Sequence, residues 1–237
     1  MQVFSTNINY FCDDATGQLK DSRDSQVYTV GIITANNGGA SKTLWMTRNI
    51  AIGCNGSGTT YGSGRKSGGV ALDSSNSNVS TTWSTGNAWN LNASSTQYTS
   101  DSTCKGSTTS GCNSYTQARM ECSSTYGAWY NYVAATANTI NTADNSTDAE
   151  KDICPSGWRL PNHSEISAAA SNKTAFSPVT GGHYGGGTLN STGYGRWWSN
   201  GALSGTTRWY LKYNGTYLST DYYSRYYGFY VRCVRSS

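Results

Sequence analysis

The chain has 237 residues, only 13% of them charged, and a net charge of +4 carried by scattered Lys and Arg. Its wealth of Gly, Ser, Thr, Asn and Tyr is unlike a highly charged disordered chain, and the scattered basic residues lack the stripe of a nucleic-acid binder. Eight Trp and eighteen Tyr can supply the core that the modest aliphatic content does not, since each aromatic ring buries roughly 150–250 Å².

Met1 stands directly before a polar segment, so residues 1–20 are expected to be an N-terminal extension truncated from a leader or membrane anchor. No apolar run approaches the roughly 18 residues of a membrane span. Residues 21–237 are expected to form one domain. Residues 26–33 are β-branched and partly alternating, which predicts a strand, and Asn36-Asn37-Gly38-Gly39 predicts a turn before a second strand over 43–49. Residues 53–114 are low in complexity but punctuated by Trp83, Trp89 and Tyr98, which predicts a loop-rich insertion held by aromatic anchors.

Residues 115–138 carry Ala118, Met120, Ala128, Trp129, Tyr132, Val133, Ala135 and Ala137, a pattern that predicts a helix or helical pair interrupted near Gly127. A second helix is predicted after Pro161, with Asn162 as cap, Glu165 completing a capping box and an end near Asn172. Further on, Trp209, Leu211 and Tyr213 alternate with Arg208, Tyr210 and Lys212, which predicts a half-buried strand. A last strand is expected over residues 229–234, and residues 214–227 between the two are turn formers and Tyr. These elements make an α+β domain of antiparallel strands with its helices grouped in the middle.

Seven cysteines, at positions 12, 54, 104, 112, 122, 154 and 233, form no CxxC pair and are accompanied by only His163 and His183, so disulfides are a better reading than zinc. Disulfides place the chain outside the cytoplasm, in the extracellular space or on a cell surface. The odd count leaves one thiol over, with Cys12 the candidate.

Six blocks then stand in order: Asp21-Ser22-Arg23-Asp24-Ser25-Gln26-Val27-Tyr28-Thr29-Val30, Trp45-Met46-Thr47-Arg48-Asn49-Ile50, Trp129-Tyr130-Asn131-Tyr132, Ile153-Cys154-Pro155-Ser156-Gly157-Trp158-Arg159-Leu160-Pro161, Trp197-Trp198-Ser199 and Gly228-Phe229-Tyr230-Val231-Arg232-Cys233-Val234-Arg235. Together they resemble the Fibrobacter-type major paralogous domain. The resemblance implies a C-type-lectin-like fold in the branch of formylglycine-generating enzymes and of the variable proteins of diversity-generating retroelements, with N- and C-terminal strands close together. It also implies a Cys154–Cys233 bridge. Cys104–Cys112 then suits a local bridge, which leaves Cys54 for Cys122.

In such variable proteins the contacting residues lie between fixed framework positions near the C-terminus. The resemblance makes Trp197, Trp198, Ser199, Trp209, Leu211, Gly228, Phe229, Val231 and Cys233 framework. The ligand contacts expected between them are Arg196, Asn200, Ala202, Ser204, Arg208, Tyr210, Tyr213, Tyr217, Ser219, Asp221, Tyr222, Tyr223, Ser224, Arg225 and Tyr226. Tyr227 is expected to be framework. Ten of the eighteen Tyr follow residue 183, and Tyr mixed with Ser, Gly, Asn and Arg is the composition of paratopes. The expected function is adhesion or recognition of a protein or cell-surface ligand.

Other chemistries find less footing. Gly157-Trp158-Arg159-Leu160-Pro161 also resembles formylglycine-generating oxidases, whose chemistry needs two adjacent redox-active thiolates, whereas Cys233 is expected to pair with Cys154. Only Glu121, Glu150 and Glu165 represent Glu, and neither His has a recognisable nucleophile partner, so no catalytic residue is assigned. No cofactor or metal is predicted, although Asp side chains and carbonyls in residues 140–152 would suit a structural calcium. A third class is a structural surface or adhesin-shaft component whose Tyr-rich face meets another copy.

Overall fold

The computed structural model describes residues 10–13, 17–23, 25–34, 42–54, 70–79, 82–84, 89–91, 118–123, 125–140, 146–185 and 187–236. In chain order the strands begin with β1 (Tyr10–Asp13), β2 (Gln18–Asp21), β3 (Val27–Thr34) and β4 (Lys42–Met46). Short strands β5 (Ala71–Leu72), β6 (Trp83–Ser84) and β7 (Trp89–Asn90) precede β8 (Arg119–Ser123) and β9 (Gly127–Tyr130). Helices α1 (Tyr132–Ala135), α2 (His163–Ala170) and α3 (Lys173–Phe176) follow. The chain closes with β10 (His183–Gly185), β11 (Thr188–Asn190), β12 (Gly195–Ala202), β13 (Thr207–Tyr213), β14 (Leu218–Ser224), β15 (Phe229–Tyr230) and β16 (Val234–Ser236). This is a mixed α+β, strand-rich architecture.

One sheet runs β1-β2-β3-β4-β16, antiparallel throughout, so the last strand joins the N-terminal sheet. Residues 10–13 and 18–20, expected in an N-terminal extension, belong to it. A second sheet runs β14-β13-β12-β15-β9-β8-β7; its β12/β15 and β7/β8 pairs are parallel and the rest antiparallel.

The capping box at α2 is present: the Asn162 side chain accepts from the Glu165 N–H at 2.9 Å and Glu165 accepts from the Asn162 N–H at 2.8 Å. The helix predicted over 115–138 is corrected. Most of that segment is the β8/β9 hairpin, and only Tyr132–Ala135 is helical, capped by Asn131. Gly127 opens β9 at φ +90°, where a Cβ would come within 3.0 Å of the Asn49 Cβ and carbonyl oxygen. Pairing of Trp129 and Tyr130 with Tyr230 and Phe229 then fixes the extended backbone, overriding helical propensity.

The six sequence blocks meet in the core. Trp45, Trp129, Tyr130, Tyr132, Trp158, Trp197, Trp198 and all of residues 228–234 are buried. Between β15 and β16 the chain crosses from one sheet to the other, held by the Met46 N–H to the Cys233 carbonyl at 3.0 Å and the Ile50 N–H to the Val231 carbonyl at 2.9 Å. Arg232, fully buried, sits at this crossing. Its Nε donates to Asn49 Oδ1 at 2.9 Å and its Nη2 to the Ser177 carbonyl at 3.0 Å, while Nη1 donates to the Phe176 carbonyl. Trp197 Nε1 donates to the same Asn49 oxygen at 2.7 Å, and the guanidinium lies 4.4 Å from the Phe176 ring centre and 5.0 Å from that of Trp197.

Cys154 is bonded to Cys233 and Cys54 to Cys122, spanning 79 and 68 residues. Cys104 and Cys112 lie outside the described residues, as does the Cys12 side chain. Described parts of the insertion are tied to the core. Leu72, Val79 and Leu91 are buried, and Arg23, paired with Asp21 at 2.6 Å, reaches Ser77 Oγ at 2.7 Å and the Ile153 carbonyl at 2.6 Å. Disulfides persist in oxidising compartments, and no helix among the described residues is long and apolar enough to cross a membrane.

Candidate functional site

Strands β12, β13 and β14 form one end of the second sheet, with β14 outermost. A turn at Asn214-Gly215 joins β13 to β14: Asn214 Oδ1 accepts from the Thr216 and Tyr217 N–H groups at 3.0 and 2.9 Å, and Gly215 takes φ +90°. Residues 218–224, read in the sequence as turn formers and Tyr, are therefore a strand, in register with β13 from Tyr213↔Leu218 to Thr207↔Ser224.

This register divides the predicted contacts between two faces, because alternate residues of a strand point to opposite sides. On the face covered by α2, Ile166 and Ala169 pack with Trp197, Leu211 and Leu218. Tyr222 and Ser224 share this side. The Tyr222 ring, 51% exposed, stands edge-on to Trp209 at 5.6 Å, and Trp209 lies 4.3 Å from the His163 ring. Trp209, expected as framework, is thus half-buried in an aromatic row that reaches solvent.

On the opposite face lie Arg196, Ser219, Asp221 and Tyr223, together with Tyr210 and Lys212. Tyr217 projects from the turn, 59% exposed. Tyr213 is half-buried, its hydroxyl donating to the Gly215 carbonyl at 2.7 Å. At the far end of β12, Asn200 and Ala202 are fastened to residues 148–149: the Ala202 N–H donates to Asp148 Oδ1 at 2.8 Å and the Asn200 carbonyl accepts from the Ala149 N–H at 2.9 Å. Ser204 is occupied locally, accepting from the Thr207 N–H at 3.1 Å.

Three predicted contacts are corrected. Arg208, Tyr210 and Arg225 are buried and present no side-chain surface. Arg208 Nη1 donates to the Thr147 carbonyl at 2.7 Å with its guanidinium 4.7 Å from the Tyr132 ring centre. Tyr210 packs 4.8 Å from Phe229 and donates to Asp221 at 3.1 Å. Arg225 is held through its backbone, its N–H on the Thr206 carbonyl at 3.0 Å and its carbonyl accepting from Tyr132 at 2.9 Å. The polar row of β13 is covered as well as the apolar one, so alternation did not mark a solvent face.

The opposite face contains the unusual electrostatics. The Arg196 guanidinium lies 5.2, 5.5 and 5.6 Å from the ring centres of Tyr223, Phe229 and Tyr210. Its Nε and Nη1 are buried and meet no hydrogen-bond acceptor among the described residues. His183, 5% exposed, packs 5.8 Å from both Phe229 and Tyr227, and its Nδ1 is likewise without a partner there. Burial, helped by the Arg196 charge, pulls the imidazole down to about 4. Tyr227, 4.4 Å from both Tyr223 and Tyr226, has its phenol held firmly protonated by burial and by hydroxyl contacts with those two rings. His183 and Lys212 were not singled out as contacts from sequence and Tyr227 was expected to be framework; nothing local pointed to His183.

The arrangement offers exposed rings, hydroxyls and a cation, which suits binding. Among the described residues no three His, Cys, Asp or Glu gather where a metal could be held. The chain matches no protein-family model, and comparisons with curated proteins and with solved structures give no match.

Proposed function

We propose that this chain is a non-enzymatic ligand-binding protein of the cell surface or extracellular space, presenting its contact surface on β12–β14 and the turns that follow. The observation that carries this reading is the concentration of Tyr217, Tyr222, Tyr223 and Tyr226 around one outer strand, with Tyr217 and Tyr222 more than half exposed. Stiff amphipathic rings give large contact area at low entropic cost, and Asn200, Ala202, Ser204, Tyr213, Ser219, Asp221, Ser224 and Arg196 complete the surface. A C-type-lectin-like scaffold of the variable-protein kind would account for the sequence blocks that bracket this region. The Cys154–Cys233 bond leaves neither thiol for oxidase chemistry, which supports a binding role.

Sequencing sister copies and the neighbourhood of the gene tests the reading. Differences confined to the solvent-reaching positions within 196–226, beside a template repeat and a reverse transcriptase, are the expected result; differences spread evenly along the chain would sink it. The outer position of β14 also suits contact with another copy of the chain, as in an adhesin shaft. Concentration-dependent assembly in light scattering would favour that second reading, and a monomer the first.

A further inference from the structure

The face of β12–β14 turned away from α2 carries a cation with no anion among the described residues. Arg196 makes no ion pair among the described residues, and two of its nitrogens are both removed from water and unbonded. Asp221, on the same face, is already committed to the Tyr210 hydroxyl at 3.1 Å and to Lys212 at 3.5 Å. Stacking on three rings recovers part of the desolvation of a guanidinium, but its in-plane N–H groups still call for an acceptor. Leaving such donors unsatisfied costs on the order of 1–3 kcal/mol, more for a charged group.

Around this cation stand groups that complement a planar oxyanion. Arg196 and His183 approach the same Phe229 ring, at 5.5 and 5.8 Å, and His183 brings a buried Nδ1 with no hydrogen-bond partner among the described residues. Tyr223, under the guanidinium, belongs with Tyr226 and Tyr227 to a cluster of phenol hydroxyls at the turn after β14. Tyr226 and Tyr227 lie in that turn rather than in a strand. A guanidinium fork binds a carboxylate through two parallel N–H···O bonds along its Nε–Nη2 edge, to which the idle Nε belongs, while the idle Nη1 can make a further single bond.

We infer that Arg196, supported by His183 and the hydroxyls of Tyr223, Tyr226 and Tyr227, is the anchor for a carboxylate carried by the ligand. This rests on reading β12–β14 as the ligand-binding face. The surrounding rings would hold the apolar group attached to that carboxylate.

Phenylacetate is a suitable probe, titrated into the intact ¹⁵N-labelled protein while the Arg196 Nε–Hε and His183 ring signals are followed. Both signals should shift saturably, and phenylacetamide, of the same shape but neutral, should leave them unmoved. Arg196→Lys keeps the charge and loses the fork, and should weaken phenylacetate binding about tenfold, the loss of roughly one charge-assisted hydrogen bond. Lys20→Ala, exposed on β2 in the other sheet, should leave it unchanged. Absence of a saturable shift, an equal response to phenylacetamide, or undiminished binding by Arg196→Lys would each overturn the inference. The phenylacetamide comparison uses the unaltered protein, so it decides even if the variant fails to fold. Titration with N-acetylglutamate and with N-acetylneuraminate distinguishes a peptide from a sugar source, by which gives the tighter saturable shift. A failed titration with sister-copy variation still confined to the outer strands removes the carboxylate and keeps the binding face, whereas evenly spread variation removes the face itself.

Discussion

Arg232 and Arg196 are two guanidinium groups in aromatic surroundings, neither paired with a carboxylate among the described residues, and their hydrogen bonding is opposite. Arg232 spends each of its three nitrogens on Asn49 or the carbonyls of Phe176 and Ser177, stitching the crossing of the C-terminal chain to both β4's flank and α3. Arg196 spends neither Nε nor Nη1 on anything described. A fully bonded buried cation serves the fold, whereas one with idle donors is left ready for something that arrives from outside.

The largest test of the fold-serving side is removal of the bond beside Arg232. Replacing Cys154 and Cys233 together by Ala should lower the free energy of unfolding by about 4 kcal/mol, the chain-entropy value for a loop of this length, read as a lower urea midpoint. Arg232→Met should come next, at about 3 kcal/mol, because Asn49 and two buried carbonyls lose their donors. Arg196→Met should change stability by less than about 1 kcal/mol or raise it, since it removes a desolvated charge that no described acceptor holds. Equal losses for the two Arg variants would erase the distinction.

Between these effects lies a pH dependence that probes the surroundings of each group. His183 binds its proton near pH 4 in the folded chain and near 6.5 when unfolded, so its contribution to stability is complete above 6.5 and is lost as pH falls toward 4. Asp152 behaves in the opposite sense. Burial pushes it up to about 6 despite the N–H groups of Cys154 and Leu160 at 2.9 and 2.8 Å, so stability grows as pH falls from 6 toward 3.8. The two slopes oppose one another over roughly pH 4–6, each worth up to about 3 kcal/mol. Urea unfolding of His183→Asn should therefore show stability less eroded by acid than the parent, and Asp152→Asn more eroded. Identical pH profiles for both variants would refute the assignment.

Legibility in the sequence followed how local each cause was. The α2 capping box needs only Asn162 and Glu165, three residues apart, and was readable. The strand Thr207–Tyr213 announced itself by alternation, but not which rows were covered, since the cover over Arg208 comes from residues 147–149, some sixty positions away. The β8/β9 hairpin was disguised by Ala and Tyr at helical spacing, and only its partner Phe229-Tyr230, a hundred residues on, makes it a strand. Of the candidate face, the Tyr-rich stretch and Arg196 were legible by composition. His183 was not, because its place beside Phe229 and Tyr227 depends on the long-range Tyr184↔Gly228 bridge.

The Cys54–Cys122 bond joins the two margins of the long insertion. A protease that cut anywhere between them would leave two pieces still linked, so a nicked chain would run as one band on a gel until a reducing agent separated it. Leu72, Val79 and Leu91, buried between the two cysteines, would keep their stretch of the chain docked, and the molecule could tolerate a break there that would dismantle an uncrosslinked chain.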